Sequence, residues 1–340
     1  MNAKTHLPGN PKAARLNAAH FAIFFAALFA ALPARAQTPA PAWPSKPVAI
    51  IIGVTPGAAT DIEARLYAQR MTENLGRSVI VDYKPGAGST IATHYVVKSA
   101  PDGHNIIVLA PTFTFSNLSY PNLPYDPLKD IAPVSLLSRR PSIVIVHPSL
   151  PVKSVAEYIT YAKAHPGKIN VGTAGAGSFA ELGWQWFNNI TGIKVTIINY
   201  KGGAPASAAL MSGEVQIALS GISQITPFIK SGKVRLIGVT TAERSKAIPH
   251  VPTMAEQGAP GFDYEQWIGV GVAAATPPAL ITRLNHEFVR AAKSPDILSK
   301  LEDDGTIIVG STPEAFRQRI ATESARWRKV AADTGAKLAQ

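Results

Sequence analysis

The arrangement of the apolar runs constrains this chain most. Ten short, β-branched stretches recur along it, at Val48–Val54, Ser78–Tyr83, Asn105–Ala110, Ser142–His147 and Lys168–Thr173, then at Lys194–Tyr200, Val215–Ser220, Val234–Thr240, Trp267–Ala274 and Thr306–Gly310. Near-continuous apolar runs of four to eight residues fit strands buried on both faces. Helical patterns fill many of the gaps. Ala59–Leu75 carries Ile62, Leu66, Gln69 and Leu75. Ser154–His165 opens on a Ser-x-x-Glu capping pattern. Ala279–Lys293 sets Leu280, Leu284, Phe288 and Ala291 on one stripe. Thr312–Ala332 does the same with Phe316, Ile320, Trp327 and Val330, an aromatic stripe expected in the core. Strands alternating with helices predict an α/β chain with mostly parallel sheets, and about ten strands suit two α/β domains better than one sheet.

Three stretches share a finer pattern of strand, small-residue turn and helix: "GVTPGAATD" from Gly53, "VGTAGAGSFAEL" from Val171 and "NYKGGAPASAAL" from Asn199. Small side chains let a ligand approach the backbone. A helix start adds unpaired N–H groups and a positive dipole end. Anion capture is therefore expected at these turns, against the alternative that they are plain packing turns. A nucleotide loop is disfavoured. Gly172, Gly175 and Gly177 do not make G-x-G-x-x-G, and no Walker Lys-Ser/Thr follows any of the turns.

Residues 1–36 read as a signal peptide. Lys4, Lys12 and Arg15 precede the twelve-residue apolar run Phe21–Leu32, and Ala34-Arg35-Ala36 fits cleavage before Gln37. Twelve residues make about 18 Å of helix, too short for a hydrocarbon core of about 30 Å. Removing 36 of 340 residues leaves 304, enough for two domains, and a periplasmic location with no stable membrane insertion is expected. Loss of four basic residues lowers the formal charge from +11 to +7. The remaining bases are scattered, apart from Arg139-Arg140 and the last helix. No basic patch is interleaved with aromatics, so nucleic-acid binding is not expected.

The chain has no cysteine, which removes disulfides and thiolate chemistry. No G-x-S-x-G elbow occurs, and His94, His104, His147, His165, His250 and His286 show no metal-ligand spacing. No catalytic residue, metal or cofactor is expected. "EDD" at Glu302–Asp304 reads as a solvated helix end. Chain crossings between the domains are expected within Arg139–Ser154 and Ala247–Trp267.

The stretches "WPSKPVAIIIGVTPGAATDIEAR", "VDYKPGAGSTIATHYVVKSAPDGHNIIV", "YDPLKDIAPVSLL" and "YKGGAPASAALMSGEVQIAL" resemble the Bug-type (TctC-like) receptors of tripartite tricarboxylate transport systems, and the likeness runs from Trp43 to near the C-terminus. The resemblance implies a periplasmic-binding-protein fold, with two α/β domains around a central cleft. It places residues 43–143 plus 267–340 in one domain and 144–266 in the other. It also implies a receptor, not an enzyme, that captures a small organic carboxylate and hands it to membrane transporter subunits or a sensor; an exported enzyme acting on such an acid is the alternative. One wall of the site would be Thr55, Gly57, Ala58, Ala59, Thr60 and Asp61, with Thr112 and Phe113 adding contacts. The other would be Thr173, Ala174, Gly175, Gly177 and Ser178, extended by Tyr200, Gly202, Gly203 and Ala204. Trp267 would either close the pocket or fill the hinge core. Relatives carry Pro-Gly-Gly where this chain has Pro56-Gly57-Ala58, so a repositioned loop is expected at Ala58. They often carry His where it has Glu181. Asp61 and Glu181 would either cap helices or pair with a ligand amine. Arg139-Arg140 would be solvated surface or a transporter contact.

Overall fold

A computed structural model describes residues 43–175, 177–302 and 305–334. The expected signal peptide and the end of the "EDD" run lie outside them. From Lys46 onward the chain forms one compact unit. Its strands are β1 (Val48–Ile52), β2 (Val79–Tyr83), β3 (Asn105–Leu109), β4 (Ile131–Pro141), β5 (Ile143–Val146), β6 (Asn170–Thr173), β7 (Thr196–Asn199), β8 (Ile217–Ser220), β9 (Arg235–Val239), β10 (Glu265–Ala273) and β11 (Ile307–Ile308). Its helices are α1 (Ala59–Leu75), α2 (Thr90–Val97), α3 (Ser116–Ser119), α4 (Pro127–Asp130), α5 (Val155–Ala164), α6 (Phe179–Thr191), α7 (Gly203–Ser212), α8 (Ile222–Lys230), α9 (Pro278–Ala292), α10 (Pro295–Glu302) and α11 (Pro313–Thr334).

The strands make two sheets, ordered β11-β4-β10-β3-β1-β2 and β7-β6-β8-β5-β9. Each contains a parallel triad, β3-β1-β2 or β8-β6-β7. Each triad is extended by two further strands through antiparallel pairings, β10 then β4 in the first sheet and β5 then β9 in the second. One five-strand topology is thus used twice. Both sheets are mixed, but five pairings are antiparallel and four parallel, so the expected parallel majority is corrected. The reason is the burial of β5 and β10. Both strands are buried along almost their whole length, so they read as apolar runs although they run against their neighbours.

β4 was not anticipated, because Pro133 and Arg139-Arg140 interrupt its apolar pattern. The structure seats Pro133 opposite Gly271 beside a shift in register, where a missing N–H is tolerated. The inward face of α1 also differs from expectation. Glu63, Ala64, Tyr67 and Met71 point into the protein, while Ile62 is 54% exposed and Gln69 lies outside. Tyr67 meets Phe288 of α9 on this inward face, with ring centroids 5.9 Å apart.

The chain passes between the sheets at Ser142, and again between Val239 and Glu265. The two passages are stitched together. Thr240 accepts the Ser142 amide on its hydroxyl at 3.1 Å and donates its own amide to the Ser142 carbonyl at 3.0 Å. Tyr264 then donates its amide to the Thr240 carbonyl at 2.8 Å. Helix α11 spans both cores. Phe316 and Ile320 pack with Trp267 beside the first sheet. Trp327 packs with Trp186, Phe262 and Tyr264 beside the second. Trp267 is 1% exposed, donates its indole N–H to Glu323 at 2.9 Å and meets Phe316 edge-on, so it is a hinge-core residue and not a pocket lid. Arg140 is an internal brace that reaches Glu63, which corrects the surface readings for that residue, whereas Arg139 reaches Glu265 with its side chain still 40% exposed, each pair at 3.5 Å.

Candidate functional site at the strand ends

In each triad the strand order reverses about the central strand, β1 or β6. Open α/β sheets leave a crevice outside the carboxyl ends at such a switch point. Each of these strand ends feeds a helix or a short helical turn. The residues that open them are Ala58, Ser89 and Ala110 after the first triad, and Ser178, Gly202 and Gly221 after the second. Of the six, only Ser178 caps with its side chain, accepting the Glu181 amide at 3.3 Å. The loops are tightly packed: a Cβ on Gly53 would fall 2.3 Å from the Ser89 Cβ.

Two carboxylates hold these loops from within. Asp61, 3% exposed, stands at the third position of α1. One of its oxygens accepts the Gly57 amide at 2.8 Å; the other accepts the Tyr83 hydroxyl at 2.7 Å and Arg65 Nε at 2.9 Å. Burial opposes ionisation of Asp61, yet the Gly57 amide, Tyr83 and Arg65 together outweigh it and keep its pKa below the usual carboxylate value. Glu181 occupies the same position of α6. It accepts the Gly177 amide at 2.5 Å and the Asn199 side-chain amide at 2.9 Å, and Thr173 in turn donates its hydroxyl to Asn199. Both acids therefore act as helix-start anchors, each holding the glycine amide of its own loop.

This accounting divides the anticipated residues. Gly57 and Gly177 give their amides to the protein's own acids. The Tyr200 amide donates to the Thr173 carbonyl at 3.0 Å and the Gly202 amide to the Ala174 carbonyl at 3.1 Å. The Tyr200 hydroxyl donates to Glu214 at 2.7 Å; burial, the hydrogen bond to Glu214 and its charge push that phenol to about 12. Ala58 needs no unusual backbone: its φ is −69°, and Gly57 takes the positive φ of 89°. The expected loop shift at Ala58 therefore has no conformational cause. Phe113 is buried in the first core behind the wall, next to Thr112. The amides of Ala59, Thr60 and Asp61 on one side, and of Phe179, Ala180, Gly203 and Ala204 on the other, precede the first intrahelical bonds of their helices.

A cavity of about 190 Å³ lies at the ends of β6 and β8. Thr173, Ala174, Ser178 and Gly203, four of the anticipated residues, line it. Ser142, Ser220, Gln224 and Gln266 line it too and were missed. "LSGISQ", Leu219 to Gln224, repeats the strand, small-residue turn and helix pattern a fourth time, and was the available signal. Larger hollows of about 580 and 590 Å³ are open grooves beside the edge strand β9 and beside α2. They lack the converging helix starts. Among the described residues no cluster of potential metal ligands occurs, and no helix is long and apolar enough to cross a membrane.

Replacing Glu181 with alanine strips the acceptor from the Gly177 amide and the Asn199 side chain together. The expected loss is about 1–3 kcal/mol in urea unfolding, with Glu181→Gln losing less because one acceptor oxygen remains. Equal stability of all three proteins would remove Glu181 from the loop's support.

Two sheets of one topology, joined by two stitched crossings and each opening a mouth of helix starts, define a solute-binding protein of the periplasmic-binding class. Residues 63–336 match the tripartite tricarboxylate transporter family receptor, TctC, and the chain belongs to that family. It is 34% identical to Protein BugT of Bordetella pertussis over 318 residues, covering 93% of this chain and 96% of that one. Among solved structures, R. palustris Rpa4515 with adipate superposes with a TM-score of 0.76 at 35% identity, covering 86% of this chain and 98% of that one. MatC from Rhodopseudomonas palustris with bound malate gives 0.73 at 30%, covering 85% and 99%.

Proposed function

We propose that this protein is an exported, periplasmic receptor that captures a small organic carboxylate between its two lobes and delivers it to a tripartite tricarboxylate-type transporter or to a sensor. The observation that carries this reading is the set of uncapped helix starts at the ends of both triads. They offer backbone N–H groups and positive dipole ends to an anion. The adipate and malate held by the two structural relatives support the same ligand chemistry. Capture is favoured over turnover, because every residue lining the cavity is uncharged and the two nearby acids are committed to loop amides.

The proposed lobes are residues 43–143 plus 267–340 and residues 144–266, pivoting at the stitched crossings. Solute binds the closed arrangement better and so shifts the population toward it. A panel of mono- and dicarboxylates tests this by thermal denaturation and mass spectrometry. At a hundredfold excess over Kd, a binding acid stabilises the protein by about 2.7 kcal/mol and should be recovered unchanged. Chemical conversion of the acid would instead support the enzyme alternative.

A further inference from the structure

The second sheet ends on β9, and the outer side of that strand is covered over part of its length. Val239 is closed off, donating its amide to the Pro252 carbonyl at 3.1 Å and accepting the Met254 amide at 2.8 Å. Gln257 donates its side-chain amide to the Ile237 carbonyl at 3.0 Å. Leu236 stays open. His147 donates its amide to Gln216 at the entry to β8, so by alternation Ile145 also turns its peptide groups toward β8. Leu236 is the register partner of Ile145, and its own N–H and C=O therefore point away from the sheet. No described residue outside the strands bonds either group. Leu236 lines the open groove of about 580 Å³ beside β9, and so offers it one donor and one acceptor.

The groove pairs an apolar floor with a basic border. Ile229, Ile237 and Val251 line it, and so do Lys153, Arg235 and His250, with no acid among the lining residues. Lys230 and Lys233 are exposed and flank it through Ser231 and Gly232. Among the described residues Lys153, Lys230, Lys233 and Arg235 make no ion pair, whereas the neighbouring Arg244 meets Glu256 at 3.0 Å. Arg235 donates to the Val152 carbonyl at 2.7 Å and keeps its charge. Glu157, the acid at the start of α5, accepts the Lys153 amide at 2.7 Å. Bases that are spread out in the sequence thus gather around one groove, which shares no residue with the cavity at the ends of β6 and β8.

Resting on the transporter-receptor reading for the partner's identity, we infer that this groove docks an extended acidic segment of the membrane carrier. The segment lies along β9 as an added strand, exchanges main-chain hydrogen bonds with Leu236, and sets its carboxylates against Lys153, Lys233 and Arg235. An anionic lipid surface could answer the charges but not the recessed peptide groups of Leu236. Carrier docking here would leave the solute cavity uncovered.

A peptide of about ten residues alternating glutamate with valine probes the groove by fluorescence anisotropy, beside matched peptides carrying serine or lysine in place of glutamate. The acidic peptide should bind one-to-one, at least about 10-fold more tightly than the serine peptide, and lose that advantage at roughly 0.5 M salt. The double variant Lys153→Glu/Lys233→Glu changes two exposed side chains and should shift the preference to the lysine peptide. Hydrogen exchange should slow at Leu236 in the complex and stay unchanged at β2, the edge of the other sheet. Failure of the acidic peptide to bind, binding that survives the charge reversal, or protection that spares Leu236 overturns the inference. Binding to phosphatidylglycerol vesicles without affinity for the acidic peptide also overturns it, making the patch a membrane contact, as does a concentration-dependent dimer that buries the groove against a second copy. Each of these leaves the receptor reading standing, because carboxylate binding is measured separately. A protein that takes the acidic peptide and no carboxylate would keep the groove and lose the carrier as its partner.

Discussion

Replacing Trp327 with alanine is expected to lower unfolding stability by about 3–5 kcal/mol, the usual range for deleting a buried tryptophan. Trp327 is 1% exposed and sits where the far end of α11 enters the second core. Its ring meets Phe115 at 5.6 Å, Tyr264 at 5.5 Å and Trp186 at 6.0 Å. Phe115 follows β3 of the first sheet. Trp186 lies on α6 behind the second sheet, and Tyr264 closes the returning crossing. The indole therefore ties both lobes to one helix. Trp327→Phe should recover part of the loss, because an aromatic ring remains in the cluster. Urea unfolding of the three proteins measures the effect, and a loss below about 1 kcal/mol in Trp327→Ala would show that α11 does not join the two cores.

The second large effect concerns Glu63. Burial pushes its pKa up to about 7, although the Ser138 hydroxyl donates to it and Arg140 lies 3.5 Å away. Its ordinary value is 4.5. The folded protein therefore holds this proton more tightly than the unfolded chain does. The contribution to stability is fully present below pH 4.5 and is lost as pH rises through about 7. A shift of this size corresponds to on the order of 3 kcal/mol. Asp61, Asp102, Asp126, Asp296 and Glu256 have lowered values and act oppositely, losing their contributions as pH falls toward the acid range. A comparison of wild type with Glu63→Gln isolates the buried acid. Glutamine can still accept from Ser138 and carries no charge. The stability gap, with the variant ahead at pH 8, should shrink steadily toward pH 5. A constant gap across that range would mean that Glu63 does not titrate there.

Much of the fold was legible because each of ten strands carries its own apolar run and four helices their own periodicity. Ser154 does accept the Glu157 amide, as its spacing implied. The signals failed where one residue serves a distant partner. Pro133 and Arg139-Arg140 hid β4, since the bulge beside Gly271 and the acids Glu63 and Glu265 that make them acceptable lie far along the chain. Ile62 looked like core, yet the helix turns the neighbouring acid Glu63 inward toward Ser138 and Arg140. Local periodicity carries no trace of that pairing.

The site was legible as a pattern and not as an assignment of donors. The strand, small-residue turn and helix repeats marked three turns that do lead from strands into helices, and a fourth at Ser220-Gly221 went unread. Which amides stay open depends on whether an acid stands three residues into each helix and folds back on the loop. Asp61 and Glu181 do so. Gln224, at the equivalent position of α8, makes no such bond and lines the cavity instead.

The central claim is that main-chain amides at the starts of helices in both lobes grip the solute's acid group. A structure of the protein loaded with a binding carboxylate tests it most directly. The account predicts carboxylate oxygens about 2.7–3.1 Å from amides at the start of α1 and at the starts of α6, α7 or α8, with no lysine or arginine in contact. An acid group clasped by a cationic side chain, away from those helix starts, would contradict it.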